Sequence, residues 1–335
     1  MARRRITGIA LALLLALTIS GAQALGTFPK VGEYEVLRGD FHMHTVNSDG
    51  KLTARERIDE AKERDLDVLA ITDHGNFRAA RFAMQYAQEL GLVAIRGMET
   101  GFPDGTKYHV VALGFDPLLK PRDSHRWSTE PGGKTAYYQD EMRKVQAAGG
   151  LLFIAHPHPE TMTDAMKWGV KQGIIQGMEL HNTKTFIPRG FDWGLENNLT
   201  LFANSDAHRA AALPYTLVFA KQRSAQAVMD AIRARRTATL YETTFRGRQD
   251  MLSRLFAAMV KAREVKDGAN NYLEIENLGP VALKGSVDGA QAIEIAEGSK
   301  TKIPWTGAKN VSIKWENAFV NSKDNLVTTH AVASP

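Results

Sequence analysis

The sequence predicts an α/β protein: a closed β/α barrel followed by a small all-β unit. From Val36 to about Tyr241, nine short apolar runs alternate with amphipathic helical patterns. That alternation is the signature of parallel β/α units, and so many of them favour closure over an open sheet. No glycine-rich phosphate loop follows the first run, which argues against an open doubly wound sheet. Past Asp267 the pattern changes to short strands separated by Gly, Pro and Asn.

The expected strands are Val36–Phe41, Asp67–Thr72, Leu92–Arg96, His109–Leu113, Leu151–Ala155, Ile174–Leu180, Leu199–Ala203, Tyr215–Ala220 and Ala238–Tyr241. Thr53-Ala54-Arg55-Glu56 reads as a capping box that opens the first helix. Ala225, Val228, Met229 and Ile232 form the apolar stripe of a later one. Met251, Leu252, Leu255, Phe256, Met259 and Val260 share one face of the last. The turn-rich segment Asp267-Gly268-Ala269-Asn270-Asn271 then marks a boundary, giving a barrel over residues 25–265 and a β-sandwich-like unit over 266–335. Its strands are expected at Tyr272–Ile275, Val281–Leu283, Ala292–Ile295 and Val311–Trp315. On this reading a cut after about Arg263 leaves the barrel chemistry intact.

Residues 1–24 read as a signal peptide. Arg3, Arg4 and Arg5 precede the apolar run Ile6 to Ser20, and Ala22-Gln23-Ala24 supplies a small-residue cleavage site. The apolar run is short for a membrane span, so no stable insertion is expected after cleavage. The consecutive arginines also begin a twin-arginine signal, whose remaining features are missing. Export to the periplasm or beyond is the expectation. Removing those three arginines from the 42 basic residues leaves 39 against 37 acidic ones. The mature chain is therefore near neutral, and no basic run interleaved with aromatics suggests nucleic-acid binding. There is no cysteine. Disulfides are excluded, and any metal must be held by nitrogen and oxygen.

The histidines fall into a pattern. Asp40-Phe41-His42-Met43-His44 and Asp206-Ala207-His208 each alternate at the end of a strand-like run, so each pair faces one way. His74, His156, His158 and His181 also close strands, while His109 opens one. Asp49 sits in the following turn, Asp73 precedes His74, and Glu99 follows the third strand. A lone histidine is usually exposed or hydrogen-bonded, and His125 and His330 are read that way. Strands average only about 5–6 residues, so seven of ten histidines at strand ends is not a chance distribution. Those ends share one face of a β/α barrel, where active sites are built. Clustered imidazoles and carboxylates there are costly to bury without a cation. The residues therefore point to a metal-dependent hydrolase.

The ordered series Asp40-Phe41-His42-Met43-His44-Thr45, Ser48-Asp49-Gly50, Ile71-Thr72-Asp73-His74, Gly97-Met98-Glu99, His109, Ala155-His156-Pro157 and Ser205-Asp206-Ala207-His208 resembles the polymerase and histidinol phosphatase (PHP) family. The resemblance implies a distorted (β/α)7-type barrel that hydrolyses phosphoesters with two to three divalent ions of Mn, Zn or Fe. It implies one ion on His42, His44, Glu99 and Asp206, and a second on Asp49, His74 and His208. A third would take Glu99, His109 and His156, with Glu99 bridging. His181 and His158 are expected to bond substrate or donate a proton, and Asp73 to orient His74. Arg78, Lys184, Arg189 and Arg209 are the loop cations available for phosphate oxygens, with Arg122 a further one.

Three divalent ions against Asp49, Glu99 and Asp206 leave a positive site, suited to a small anionic phosphoester attacked by a metal-bound hydroxide. A diester is weakly preferred over a monoester. Two other readings compete. An amidohydrolase also opens with H-x-H but adds a carbamylated lysine from a middle strand, where this chain has Glu99, His109 and His156 instead. A non-catalytic periplasmic metal-binding protein has no need of this mixed barrel-mouth donor set.

Overall fold

The computed structural model describes residues 26–101, 109–115, 142–157, 162, 164–209 and 214–334, with backbone alone at 80, 81, 101 and 165. The expected signal peptide, Arg122, His125 and the candidate His158 lie outside the described residues.

The fold is mixed α/β. Strand β1 (Glu35–Met43) pairs in parallel with β2 (Val68–Ile71), and β2 with β3 (Val93–Gly101). From β3 the ladder runs antiparallel to β4 (His109–Leu113), then antiparallel again to β5 (Leu151–Ala155). β6 (Ile175–Asn182) continues in parallel, the short β7 (Thr185–Phe186) folds back on it, and β8 (Thr200–Asn204) pairs with β6 in parallel. On the far side of β1 lie β9 (Pro214–Ala220) and β10 (Thr237–Tyr241), each antiparallel to its neighbour. The expectation of parallel β/α units is thus corrected at β4, β9 and β10. Seven residues separate β3 from β4, too few for a helical crossover, so the chain must reverse.

β8 comes back beside β1 and β9. The Phe41 N–H donates to Asn204 Oδ1 at 2.9 Å, and the Ala203 N–H to Thr216 Oγ1 at 2.9 Å. Phe41, Phe153 and Phe202, from β1, β5 and β8, are fully buried inside this curl, where Phe202 stacks on Phe153 and meets Phe41 edge-on. Helices cover the outside. α1 (Ala54–Glu63) carries the expected capping box: Thr53 Oγ1 accepts from the Glu56 N–H while the Glu56 carboxylate accepts from the Thr53 N–H. α2 (Arg78–Glu89), α3 (Asp164–Lys171), α4 (Pro188–Glu196) and α5 (Ala225–Arg233) follow. Val228, Met229 and Ile232 of the expected α5 stripe are buried, and Ala225 is exposed. No helix among the described residues is long and apolar enough to cross a membrane.

The C-terminal unit departs from expectation in how it is attached. β11 (Thr244–Gly247) precedes α6 (Gln249–Met259), and β12 (Val260–Asp267) starts directly at the helix end. The 267–271 turn is the tip of a hairpin between β12 and β13 (Asn270–Asn277), not a linker. β14 (Leu283–Val287), β15 (Gln291–Ile295), β16 (Lys300–Pro304), β17 (Asn310–Phe319) and β18 (Asn325–Ala333) complete it. β17 pairs in parallel with β11, joining Phe245 to Ala318 and Arg246 to Phe319. One apolar core runs across the junction: Phe256 sits 5.3 Å from Phe245 and 5.1 Å from Trp315, all fully buried.

Candidate metal centre

The strand ends bring nine ligand-type side chains together. His42 and His44 leave the end of β1 on the same side and are fully buried. Their Nε2 atoms face each other at 3.1 Å, and both approach Glu99 Oε2, at 3.2 Å and 3.1 Å. Asp206 Oδ1 lies 3.4 Å from His42 and 3.1 Å from His44. His74 turns Nδ1 to Glu99 Oε2 at 3.2 Å and Nε2 to Asp49 at 3.5 Å, and His208 Nε2 is 3.1 Å from Asp49. On the other side of Glu99, Oε1 lies 2.8 Å from His109 Nδ1 and 3.3 Å from His156 Nε2.

His109 opens its strand yet reaches the same centre because β4 is antiparallel. Its backbone pairs with Gly101 and Ala155, so the start of β4 lies level with the ends of β3 and β5. Asp49 reaches the centre through a tight turn. At Gly50 a Cβ would lie 2.6 Å from the His44 carbonyl group, so only glycine lets the turn approach. His156 (φ 33°) and Asp206 (φ 49°) hold left-handed backbone, which is uncommon outside glycine and clusters at functional sites.

Sets of atoms within 4.8 Å of one another form three groups: His44, Asp49, His74 and His208; His42, His44 and Asp206; and His74, Glu99 and His109. The donor chemistry fits divalent cations. Glu99 is 1% exposed, and its Oε2 makes no hydrogen bond of good geometry although three imidazole nitrogens lie within 3.2 Å. Imidazole nitrogens and carboxylate oxygens that converge in this way are the donors a divalent ion takes. The electrostatics agree. Burial pushes the Glu99 carboxyl up, but His42, His109 and His156 pull it well below its ordinary range. Burial works against a charged His42, yet Glu99, Asp206 and Glu179 hold that ring well above its usual value. The centre calls for positive charge.

Other sequence-predicted residues take different places. His181 is 2% exposed but turned away from the imidazole cluster: Arg246 Nη1 donates to its Nε2 at 3.0 Å, and it stacks on Phe186 and Tyr241. Burial, and then the Arg246 charge, push it down to about 3, so it is neutral. Asp73 does not reach the His74 ring. It accepts from the Thr45 N–H and hydroxyl at 2.7 Å each and from Ser48 at 2.8 Å, which fixes the turn carrying Asp49. Arg78, Lys184, Arg189 and Arg209 are exposed, and Arg209 directly follows His208.

Sequence reasoning passed over Glu179. This carboxylate is fully buried, accepts from His42 Nδ1 at 2.9 Å and from the His156 N–H at 2.6 Å, and is held by Asn182 and Asn204. It thereby fixes which His42 nitrogen faces the centre. Its signal was present: a lone carboxylate in the apolar run Ile174–Leu180 demands a partner.

The fold and the centre define a metallohydrolase-type site, with nitrogen and oxygen donors gathered at one end of a mixed sheet. The PHP domain family model matches residues 40–234, and the chain belongs to that family. A two-domain protein from Bacteroides vulgatus containing a predicted PHP-like metal-dependent phosphoesterase superposes with a TM-score of 0.78 at 25% identity, over 93% of this chain and 100% of that one. The 3',5'-nucleoside bisphosphate phosphatase of Chromobacterium violaceum is 38% identical over 79 residues, 23% of this chain and 28% of that one. The phosphoribosyl 1,2-cyclic phosphate 1,2-diphosphodiesterase of Eggerthella lenta is 30% identical over 80 residues, 23% of this chain and 30% of that one. The matched segments thus span less than a third of either curated relative.

Proposed function

We propose that this protein is an exported, metal-dependent phosphoesterase acting on small organic phosphates from a distorted (β/α)7-type barrel. The observation that carries the reading is Glu99, a buried carboxylate with histidines facing both oxygens. Two to three divalent ions of Mn, Zn or Fe would be held among these side chains, in sets that overlap the three geometric groups without coinciding with them. His42, His44, Glu99 and Asp206 would take one, and Asp49, His74 and His208 a second. Glu99, His109 and His156 would take the third. Bound there, such ions polarise a phosphoryl oxygen and lower the pKa of water to near neutrality.

The chain's own residues supply the rest. Glu179 keeps the His42 Nε2 lone pair turned inward, and Asn182 Nδ2 holds Asp206 Oδ2 at 3.1 Å. The Asp73 bonds to Thr45 and Ser48 keep Asp49 at the mouth. The exposed cations Arg78, Lys184, Arg189 and Arg209 offer charge to outer phosphate oxygens. A diester of a small organic phosphate is favoured over a monoester.

Two measurements test this. Chelation of purified protein should abolish hydrolysis of p-nitrophenyl phosphoesters, and Mn, Zn or Fe should restore it, with the bis-ester turned over faster than the mono-ester. No transition metal by elemental analysis, and no activity with any added ion, would sink the reading. Glu179→Gln should leave the fold intact and lower metal affinity or turnover about 10- to 100-fold, the usual effect of removing a partner that orients a ligand. An unchanged metal isotherm would show that Glu179 only fills space.

A further inference from the structure

Arg57 has an unusual position for an arginine on a surface helix. It lies in the first turns of α1 yet is fully buried. Its Nε donates to the His44 carbonyl at 3.2 Å, its Nη2 to the Ala207 carbonyl at 3.0 Å and its Nη1 to the Arg209 carbonyl at 3.0 Å. Glu60, one turn along the same helix, pairs with Nη1. These three carbonyls belong to the two segments that carry His42, His44, Asp206 and His208.

Those segments do not pair as regular strands. They are joined by one isolated bridge, Met43 to Ala207, and by backbone bonds from the His44 N–H to the Ala207 carbonyl at 3.0 Å and from the Lys51 N–H to the His208 carbonyl at 2.7 Å. Side-chain bonds add to these: Asn204 Oδ1 accepts from the Phe41 N–H and Asp40 Oδ1 from the Ser205 N–H. β1 and β8 form no ladder here, and Asp206 holds left-handed backbone at φ 49°. The buried His44 carbonyl takes its donor from Arg57, and a buried unpaired carbonyl costs about as much as a lost hydrogen bond. The planar five-donor guanidinium meets several at fixed angles, which the point charge of a lysine cannot do.

We propose that Arg57 is a positioning residue for the centre. It ties the β1 end to the β8 end through three carbonyls, and so sets the spacing at which His44 stands against Asp206 and His208. The His44 and His208 rings stack at 4.3 Å across the same junction. Two ligand groups draw on both segments, the one containing His44 and His208 and the one containing His42, His44 and Asp206. Glu99, His109 and His156 draw on neither. Arg57 therefore tunes some ion positions and not others.

The inference rests on the metal reading, and the test separates the two. Metal-free protein is titrated with Co²⁺ alone, following heat and visible absorption, in the wild type, Arg57→Lys and Tyr86→Phe. Tyr86→Phe removes the Tyr86–Asp59 bond at 2.7 Å that braces the same helix from outside, so it controls for loosening of α1. In folded Arg57→Lys, affinity should fall at least tenfold at the positions that use both segments and stay unchanged at the remaining one. Tyr86→Phe should bind like the wild type. Equal affinities in wild type and folded Arg57→Lys would overturn the positioning role and leave the metal reading standing, as would a uniform fall shared by Tyr86→Phe. A wild type that binds no Co²⁺ would overturn both. Should Arg57→Lys fail to fold, arginine side-chain NMR of the wild type decides. A guanidinium locked against rotation, with proton shifts that saturate as Co²⁺ or Zn²⁺ is added, supports the proposal, and a freely rotating one refutes it.

Discussion

Replacing Glu99 with Gln should remove at least one metal ion and lower turnover by roughly a thousandfold or more, because bound ions provide both the nucleophile and charge stabilisation. The geometry explains the size of the effect. Oε1 serves His109 and His156, and Oε2 faces His42, His44 and His74, so a single carboxylate links five of the six clustered imidazoles, all but His208. An amide is neutral and turns a donor toward nitrogens that need a cation. It also leaves the repulsion between neighbouring ions less compensated. Glu276→Gln, at a carboxylate on β13 beside Lys300, should change neither metal content nor rate. Elemental analysis and turnover of both variants check the expectation. Equal, mild effects would mean that the centre lies elsewhere.

Deleting the chain after about Arg263 should abolish soluble, folded protein, contrary to the expectation from sequence alone. The cut removes β17, which pairs with β11, and strips β12 of both its partners, β13 and β18. It also uncovers Phe245, Phe256 and Met259, all fully buried against the C-terminal strands or their neighbours. At about 2 kcal/mol for each such side chain, the loss is about 6 kcal/mol, comparable to the whole stability of a typical domain, about 5–15 kcal/mol. Solubility and circular dichroism of the truncated chain check this. A soluble, cooperatively folded product that still binds metal would show the two units to be independent.

The sequence by itself determined most of the imidazoles and carboxylates that gather at the centre, and the order of the N-terminal strands. Both rest on local rules. Alternation in an extended run decides that His42 and His44 share a face, and apolar runs of strand length locate where they end. Capping of α1 by Thr53 and Glu56 was equally local, and the structure reproduces it.

Tertiary structure decided what depends on pairing. His109 belongs to the centre only because β4 runs antiparallel, a direction that an apolar run does not encode. Glu179 and His181 would point the same way in a regular strand, but the β6–β8 register shifts between them. The irregularity sends Glu179 to His42 and His181 to Arg246, so the histidine that looked chemical is braced outside the cluster. Arg57 reads as one more charge on a polar helix until the carbonyls beneath it are placed. The shared core of the two units was hidden for the same reason. β11 and β17 lie some seventy residues apart, and such non-local pairing leaves no periodic trace in the chain.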